Sequence, residues 1–504
     1  MNPARQAGQP GHTAPRAGRL LLAALGLAVL ARLVSLGLTP LADSTEARYA
    51  DIGRRMVALG DWVTPWFADG VPFWGKPPLY TWMTAAGFEV FGLNEFAARV
   101  PHFLAGVFIL WLVWDWLRGH GRREALLAVA LLWGAALFLV SAGAVMTDMA
   151  LLVGLVLAMR GFWRALHEPD AAVARREGWL LFVGLGIGLL AKGPLVLVLA
   201  GMPLVAWTLA TRRLAAAWRA VPWLGGLVLM LAIAAPWYLL AEARTPGFLD
   251  YFLVGEHWKR FTVPGWAGDR YGNAHAEPRG MVWVFLVGAC LPWSVLLPVL
   301  AWGRRSQASE PGPASPASAP TGGPGMPGWT PYLLLWGLWP CLFFTASRNI
   351  IWTYVLPGLP ALAMLAGCWL ARDTRTRRTD ALVAAGLAMS VLALVGILGS
   401  LELRGESKSA RAVVAAFEAR RAPGDVLLFV GRNQFSASFY TRGQARPLDD
   451  FQALQAVIAQ PAAGPGVRYV ALRRWDDRQP DAALRARLRS LGNFQGYELT
   501  VVNP

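Results

Sequence analysis

The sequence predicts a mainly α-helical, polytopic membrane protein with a small α/β domain at its C-terminal end. Three observations support this fold class. The 504 residues are 55% hydrophobic and only 15% charged, whereas soluble globular proteins average about 25% charged residues. Long apolar runs succeed one another between residues 20 and 401, and residues 402–504 have a mixed composition. The 25 tryptophans suit a chain with two water–lipid interfaces, where indole rings accumulate.

Each apolar run is a candidate membrane span, because a helix needs about 20 residues, with a range of about 17–25, to cross the hydrocarbon layer. The shorter runs must borrow flanking residues. We therefore predict about eleven transmembrane helices, one for each of the runs Leu20–Leu38, Val100–Trp116, Ala125–Ser141, Met149–Trp163, Trp179–Ala191, Leu195–Leu209, Val221–Leu240, Met281–Trp302, Trp329–Ala346, Ile350–Leu370 and Ala381–Leu401. The first run exceeds the roughly 7–15 residues of a signal-peptide core and is interpreted as a retained anchor.

The basic residues set the predicted topology. The net charge is +16, but the arginines lie in short loops between apolar runs, so we interpret them as cytoplasmic loops and not as a nucleic-acid surface. Both flanks of Lys192-Gly193-Pro194 are basic, which predicts two helices with Lys192 at the far turn. The cytoplasmic groups are Arg5, Arg16 and Arg19; Arg118, Arg122 and Arg123; Arg164, Arg175 and Arg176; Arg212, Arg213 and Arg219; Arg304 and Arg305; and Arg372, Arg375, Arg377 and Arg378. Loops 39–99 and 241–280 and residues 402–504 then face the opposite side.

Three further segments have distinct patterns. Residues 47–59 are predicted to form an amphipathic juxtamembrane helix, with Asp51 on its solvated face. Residues 78–92 are apolar but short and are interpreted as a half-inserted helix, with Glu89 on an interfacial face. Residues 303–328, rich in Pro, Ser, Gly and Ala, are typical of a flexible cytoplasmic linker.

The C-terminal residues 402–504 are predicted to form a separate α/β domain, leaving 1–401 as the transmembrane domain. No catalytic motif stands out in this domain. The three cysteines lie in apolar runs and are interpreted as core residues. The predicted strands are Val426–Val430, Val467–Leu472 and Thr500–Val502, and the predicted helices are Ala410–Arg420, Asp450–Ile458 and Ala482–Leu491.

Charged residues from separate loops converge on the side of the membrane opposite the arginine-rich loops. Asp148 lies between two apolar runs, where an unpaired carboxylate is costly, so it is either functional or a helix cap. Lys192 and Arg348 either bind an anion or extend to the interface, and His257 alone would be structural. The converging residues are Asp43, Glu46, Lys76, Asp148, Lys192, Glu256, His257, Arg260 and Arg348.

An ordered set of short motifs runs through residues 20–370. The motifs are D-S-T-E-A-R-Y-A at 43–50, G-D-W-V-T-P at 60–65, K-P-P-L-Y at 76–80, F-A-A-R-V-P at 96–101, T-D at 147–148, A-K-G-P at 191–194, P-W-Y at 236–238, F-L-D-Y-F-L-V-G-E-H-W-K-R-F at 248–261, L-P-W-S at 291–294 and T-Y-V-L-P at 353–357. Each alone is weak, but together they resemble the bacterial GT-C glycosyltransferases of the aminoarabinose-transferase kind and, more distantly, the protein O-mannosyltransferases.

This resemblance implies a GT-C fold and a sugar donor linked to undecaprenyl phosphate. It implies transfer to a lipid A phosphate on the periplasmic face of the bacterial inner membrane, where the C-terminal domain also lies. Asp43 matches the family's essential aspartate and is the expected catalytic residue. The expected substrate-binding residues are Glu46, Arg48, Tyr49, Lys76, Asp148, Lys192, His257, Arg260, Arg348 and Tyr354.

Two positions depart from the family pattern. Gly75 stands where the family often has a glutamate implicated in metal binding, so a divalent metal is possible but doubtful, and no other cofactor is expected. Ile350 replaces the second lysine of the family pattern S-K-x-K-x-x-x-Y-x-L-P, leaving Arg348 as its cation. Recognition of a donor or acceptor phosphate is therefore expected to differ here.

The predicted mechanism uses cations to stabilise the departing lipid phosphate, with Lys76, Lys192, Arg260 and Arg348 as candidates. Asp43 would orient a phosphate acceptor, or act as general base toward a hydroxyl acceptor. Two alternatives remain open at this point. The acceptor is a protein hydroxyl or another envelope glycan, or the protein is a transporter or lipid flippase, although transporters place ionisable residues near the bilayer midplane.

Overall fold

A computed structural model describes residues 14–259, 263, 268, 270–271, 277–305, 326–403, 408–431, 434–460, 466–474 and 479–503. The membrane part is helical, apart from a short hairpin of β1 (Trp66–Ala68) and β2 (Val71–Pro72). Its α-helices are α1 Ala14–Ser35, α2 Thr45–Leu59, α3 Leu79–Phe91, α4 Glu95–Leu117, α5 Arg122–Gly134, α6 Ala136–Ser141, α7 Asp148–His167, α8 Ala171–Lys192, α9 Leu195–Ala210, α10 Leu214–Ala220, α11 Trp223–Arg244, α12 Met281–Ala289, α13 Trp293–Arg305, α14 Trp329–Phe344, α15 Leu359–Ala371 and α16 Thr376–Leu403. A π-helix covers Asp250–Lys259 and a 3-10 helix covers Trp352–Gly358.

Every predicted apolar run contains helix, but the predicted count of eleven spans is not confirmed. Within the described ranges, six helices are long and apolar enough to cross a membrane, and a bent pair raises this number to seven. The six are Gly18–Ser35, Glu95–Leu117, Asp148–His167, Trp223–Arg244, Trp352–Ala371 and Thr376–Ser400. The remaining apolar helices are shorter or less apolar, so length and composition alone do not assign them to full spans.

Two predicted spans are broken helices. The run Ala125–Ser141 divides into α5 and α6 at Ala135, whose backbone is extended. The run Met281–Trp302 bends by 80° between α12 and α13, where Pro292 lacks the N–H that would continue the helix. The two breaks meet, because the Ala136 N–H donates to the Leu291 carbonyl over 2.8 Å. Each break therefore satisfies backbone groups that the other exposes.

Helices α7 and α8 approach each other along a seam of glycines. A Cβ atom on Gly154 would lie 2.5 Å from the Gly184 carbonyl oxygen, and one on Gly184 would lie 2.3 Å from the Gly154 oxygen. Small residues permit such close backbone packing between membrane helices. The turn after α8 has Gly193 at φ 77°, and α9 starts at Leu195. The prediction of two separate helices on either side of this turn is confirmed.

Replacing Gly184 with alanine is expected to destabilise the protein by about 1–3 kcal/mol, because the methyl group overlaps backbone atoms of α7. Gly201, in α9, is a matched control, since a Cβ there meets no atom within 4 Å. The measurement is the melting temperature of the purified protein in detergent. A lower value is expected for Gly184→Ala, and an unchanged or slightly higher value for Gly201→Ala, because alanine favours the helix more than glycine does. Equal melting temperatures would show that the seam tolerates side chains.

The C-terminal domain contains a five-stranded sheet with the strand order β4-β3-β5-β7-β6. Strand β3 pairs in parallel with β4 and β5, and β7 pairs antiparallel with β5 and β6. The strands are β3 Val426–Val430, β4 Arg446–Leu448, β5 Arg468–Arg473, β6 Leu488–Phe494 and β7 Tyr497–Val502, and the helices are α17 Arg411–Glu418, α18 Phe435–Tyr440, α19 Phe451–Ala459 and α20 Ala482–Ala486.

The prediction of a helix over Ala482–Leu491 is wrong in its second half. Helix α20 ends at Ala486, and Leu488 begins β6, which pairs with β7 from Leu488 opposite Val502. The backbone bonds of this edge strand outweigh the local helix preference. Strand β4 and helix α18 were not predicted from the sequence. The other predicted elements of this domain are present within one to three residues.

The predicted amphipathic helix is confirmed as α2, which ends at Gly60 with φ 64°. Placing Asp51 on a solvated face is wrong: Asp51 is 2% exposed and bonds Arg54 and Arg55. Arg54 reaches Ser438 of α18, so the C-terminal domain covers this face. Helix α3 is 13 residues long, and its half-insertion stays a prediction. Of the predicted linker 303–328, residues 306–325 lie outside the described residues.

Candidate active site

A buried ion pair forms the centre of the candidate site. Lys192 at the end of α8 donates to Asp148 at the start of α7, with Nζ and Oδ1 2.7 Å apart. Their side chains are only 10% and 5% exposed. The Lys192 ammonium also lies 5.1 Å from the centroid of the Tyr354 ring, within cation–π range. Since α7 and α8 are held together by glycines, this pair sits where two rigid helices end.

His257 closes one side of this centre. Its Nε2 atom lies 3.4 Å from the Lys192 carbonyl oxygen, and its Nδ1 atom lies 2.8 Å from the Phe252 carbonyl oxygen. Burial lowers the pKa of His257, so the ring is neutral near pH 7 and donates through one nitrogen only. The shorter contact assigns the proton to Nδ1, which leaves a lone pair on Nε2.

Lys76 joins the same region from the first long loop. Its Nζ atom donates to the Gly75 carbonyl over 2.6 Å and lies 3.3 Å from Glu256 Oε2. Glu256 also accepts from the Tyr251 hydroxyl over 3.0 Å, and it precedes His257 in the π-helix. Of the residues predicted to converge, the structure brings together Lys76, Asp148, Lys192, Glu256 and His257.

Asp43 lies in a different set of contacts, against the C-terminal domain. Its Oδ1 accepts from the Ser436 N–H over 2.8 Å, and its Oδ2 accepts from the Ser436 hydroxyl over 2.6 Å. Arg473 approaches Oδ2 at 3.5 Å. Burial raises the pKa of Asp43 to about 6, although the bonds from Ser436 and the charge of Arg473 oppose the increase. Among the described residues, no hydrogen bond or ion pair joins Asp43 to Asp148 or Lys192.

The other expected residues of the first loop make internal contacts. Glu46 accepts from Arg99 at 2.7 and 2.8 Å and from the Val145 N–H at 3.3 Å. Burial works against ionisation of Glu46, but Arg99 outweighs it and keeps the pKa of this carboxyl below its usual range. Arg48 donates to the Tyr271 carbonyl over 2.6 Å. The Tyr49 ring centroid lies 4.6 Å from that of Tyr80.

Of the two remaining predicted cations, Arg348 and Arg260, the structure describes only Arg348. Arg348 is exposed, and its Nε atom lies 3.4 Å from the Glu277 carbonyl. Within the described residues, it has no hydrogen-bond partner in common with Lys76 or Lys192. Arg260 lies outside the described residues. The binding roles of Glu46, Arg48, Tyr49, Arg260 and Arg348 therefore stay predictions.

The surroundings of Gly75 leave little room for a glutamate, the residue implicated in metal binding that the family often has at this position. A Cβ atom on Gly75 would lie 2.9 Å from the Phe73 ring, so a glutamate would require that ring to move. The part of the chain that the structure describes contains no group of three or more His, Cys, Asp or Glu side chains that could hold a metal. Glu256 and Asp148, the nearest carboxylates to the two lysines, are engaged by them. We therefore derive no step through a metal ion.

Four contributing residues were not among the predicted site residues. Arg99 lies in the F-A-A-R-V-P motif, and a buried arginine beside an acidic loop was the available signal. Glu256 was noted as a loop charge without a partner. Ser436 and Arg473 had no sequence signal, because they come from α18 and β5, respectively, of a domain with no recognised motif and reach Asp43 across about 400 residues.

Comparisons with known proteins place the chain in a family. Residues 20–252 match the family model of the dolichyl-phosphate-mannose-protein mannosyltransferases. An undecaprenyl phosphate-alpha-4-amino-4-deoxy-L-arabinose arabinosyl transferase of Pseudomonas aeruginosa is 33% identical over 395 residues, covering 76% of this chain and 65% of that protein. The transferase of the same name from Pseudomonas savastanoi is 32% identical over 77% of this chain and 67% of that protein.

Solved structures show the same fold. ArnT from Cupriavidus metallidurans, crystallised bound to undecaprenyl phosphate, superposes with a TM-score of 0.76 at 21% identity, over 96% of this chain and 98% of that chain. Its apo structure gives a TM-score of 0.75. The fold and the curated relatives together define a multi-pass membrane protein of the GT-C glycosyltransferase class. The chain belongs to the ArnT type within that class, and it spans about 65% of the length of the first curated relatives it matches.

Proposed function

We propose that this protein transfers a sugar from undecaprenyl phosphate to a lipid A phosphate at the outer face of the bacterial inner membrane. The names of its relatives suggest 4-amino-4-deoxy-L-arabinose as the sugar. The bond between the sugar C1 and the phosphate oxygen of the donor breaks, and an acceptor oxygen bonds to C1. Undecaprenyl phosphate leaves with the bonding electron pair. Residues 1–401 form the membrane catalytic domain, and 402–504 form a periplasmic domain.

The observation that carries this proposal is the lysine centre. Lys192, fixed by Asp148, and Lys76, fixed by Glu256, come from separate elements and lie beside the successive residues Glu256 and His257. Fixed cations stabilise charge that develops on a departing phosphate, and they cost no reorganisation during the reaction. Arg260 and Arg348 are proposed to complete phosphate recognition in place of the lysine that Ile350 replaces.

Asp43 is proposed as the catalytic carboxylate, positioned by Ser436. The two hydrogen bonds from Ser436 use both oxygens of Asp43 and fix the plane of the carboxylate. A phosphate acceptor is already ionised at neutral pH, so Asp43 orients the acceptor or stabilises positive charge on the sugar. These roles require the ionised form of Asp43.

The pH dependence of kcat/KM is expected to report Asp43. Because burial raises the pKa of Asp43 to about 6, kcat/KM is expected to fall as the pH decreases below about 6. Ser436→Ala removes a hydrogen bond that favours the ionised form, so the acidic limb should move to higher pH. The measurement is donor turnover between pH 5 and pH 8, for example, in both proteins. Superimposable profiles would separate Ser436 from the ionisation that controls activity.

A hydroxyl acceptor on a protein or another glycan is the second candidate. The match of residues 20–252 to the protein mannosyltransferase model favours it. A hydroxyl needs a base, and Asp43 would serve.

A reconstituted assay tests the proposal. The purified full chain is placed in nanodiscs with an undecaprenyl phosphate-linked sugar, and lipid A or a Ser/Thr peptide is added as the acceptor. Release of undecaprenyl phosphate that requires lipid A, with sugar found on lipid A, is the expected result. Release that requires the peptide would favour the second candidate. An absence of release with either acceptor would contradict glycosyl transfer.

A further inference from the structure

A large cavity lies at the end of the helical bundle opposite Lys192. Its volume is about 950 Å³, and it is formed where α1, α4, α5, α7 and α16 meet. Helix α7 begins at Asp148 in the candidate active site and reaches Arg164 beside this cavity. At 1.5 Å per residue, the two positions are about 24 Å apart along the helix. The cavity is therefore separate from the transfer site and close to the other membrane surface.

The lining of the cavity carries surplus positive charge. It includes four arginines and two aspartates, and both aspartates are already engaged. Asp115 accepts from Arg160 at 2.6 Å and from Arg118 at 2.8 Å. Arg164 is already paired with Glu168 at 2.6 Å and with Glu177 at 2.9 Å, so the surplus charge is carried by Arg118, which shares its carboxylate, and by Arg122. Asp380 pairs with Arg123 at 3.0 Å. The four arginines of the lining are Arg118, Arg122, Arg123 and Arg164.

One wall of the cavity is apolar. Leu22 of α1, which is 54% exposed, and the half-buried Trp114 of α4 contribute to it, whereas Leu21 and Leu126 are 0% and 8% exposed. Arginine binds phosphate oxygens through paired N–H groups, and the apolar side chains beside it offer a surface for hydrocarbon. A free phosphate ion would contact only the arginines of this lining. A phospholipid, with a phosphodiester joined to acyl chains, contacts both the arginines and the apolar side chains.

We propose that this cavity binds the headgroup of an anionic phospholipid from the adjacent leaflet, with Arg118 and Arg122 contacting its phosphate. Basic pockets between membrane helices are suited to such lipids. The bound lipid joins α1 and α16 to the ends of α4 and α5. This site is independent of the proposed sugar transfer.

Lipid binding to the purified full chain tests this proposal. Diphosphatidylglycerol, zwitterionic phosphatidylethanolamine and inorganic phosphate are each titrated into the detergent-solubilised protein. Native mass spectrometry counts the bound lipids, and the melting temperature reports stabilisation. We expect diphosphatidylglycerol to bind the protein and raise its melting temperature. The other two probes are expected to bind more weakly and to raise the melting temperature less. This comparison uses the unmodified protein, so it does not depend on the folding of a variant.

The double variant Arg118→Gln/Arg122→Gln locates the site. It is expected to bind diphosphatidylglycerol roughly tenfold or more weakly, because each arginine near an anionic lipid contributes attraction. Arg219→Gln is the matched control, since Arg219 is an exposed arginine in α10 at the same end of the bundle and outside the cavity lining. Equal binding by the double variant and the control would overturn the proposal. So would equal stabilisation of the unmodified protein by phosphatidylethanolamine or by inorganic phosphate.

Discussion

Replacing Lys192 with methionine is expected to lower kcat by roughly 100-fold or more, because loss of one fixed group that stabilises developing charge has effects of this size. Methionine keeps most of the length of the side chain and its packing against Tyr354, but it carries no charge. Donor turnover in nanodiscs is the measurement. Arg244→Gln is the matched control: Arg244 pairs with Asp61 at 2.9 Å with its side chain 54% exposed, and near-normal turnover is expected.

A double variant distinguishes catalysis from stability at the same pair. Lys192→Met alone leaves Asp148 buried without its partner, and breaking a buried pair in this way is strongly destabilising. Asp148→Leu/Lys192→Met removes both charges, and replacing a buried ion pair by apolar residues is often neutral or stabilising. We expect the double variant to fold with a near-normal melting temperature and to remain inactive. Recovered activity together with recovered stability would make the pair purely structural.

Replacing Asp43 with asparagine is expected to lower kcat by about 100-fold or more, the range for loss of one fixed group that stabilises developing charge. The amide is nearly the same size as the carboxylate. Its oxygen can still accept from the Ser436 N–H, and the Ser436 hydroxyl can rotate to accept from the amide nitrogen. Docking of the C-terminal domain should therefore survive, which a proteolysis pattern like that of the unmodified protein would show.

Ser436→Ala is the comparison that separates the two roles of Asp43. It removes one of the two hydrogen bonds that hold the carboxylate and leaves the carboxylate itself. We expect a smaller loss of kcat than for Asp43→Asn, together with the shift of the acidic limb described above. Equal losses in the two variants, with no change in the pH profile, would assign Asp43 to domain docking alone.

Much of the membrane part follows from the sequence because apolar runs decide where helices form. Basic residues before and after the pair of apolar runs also predicted that the chain turns back at Lys192. The breaks at Ala135 and Leu291 were not predictable, since each break depends on backbone partners supplied by the other. The number of membrane spans was not predictable either, because it depends on how long and how bent each helix is. Runs of similar apolarity form helices of very different length.

The sequence predicted which residues belong to the candidate site better than it predicted which of them contact one another. Asp148 and Lys192 were both expected on one side of the membrane, but their direct contact results from the packing of α7 on α8. Asp51 looked solvated by helical periodicity, yet Arg54 and the C-terminal domain cover it. Ser436 and Arg473 reach Asp43 through the docking of that domain. A local pattern carries no information about such a contact.

The most direct test of the proposed function is the mass of lipid A from cells that produce the protein and from otherwise identical cells that lack it. Mass spectrometry of the extracted lipid A gives the acceptor and the mass of the added sugar together. We expect an additional species, heavier by one sugar residue, only in the producing cells. We also expect its loss when the variant Asp148→Leu/Lys192→Met, which should fold with near-normal stability, replaces the unmodified protein. Identical lipid A spectra in producing and lacking cells would contradict transfer to lipid A.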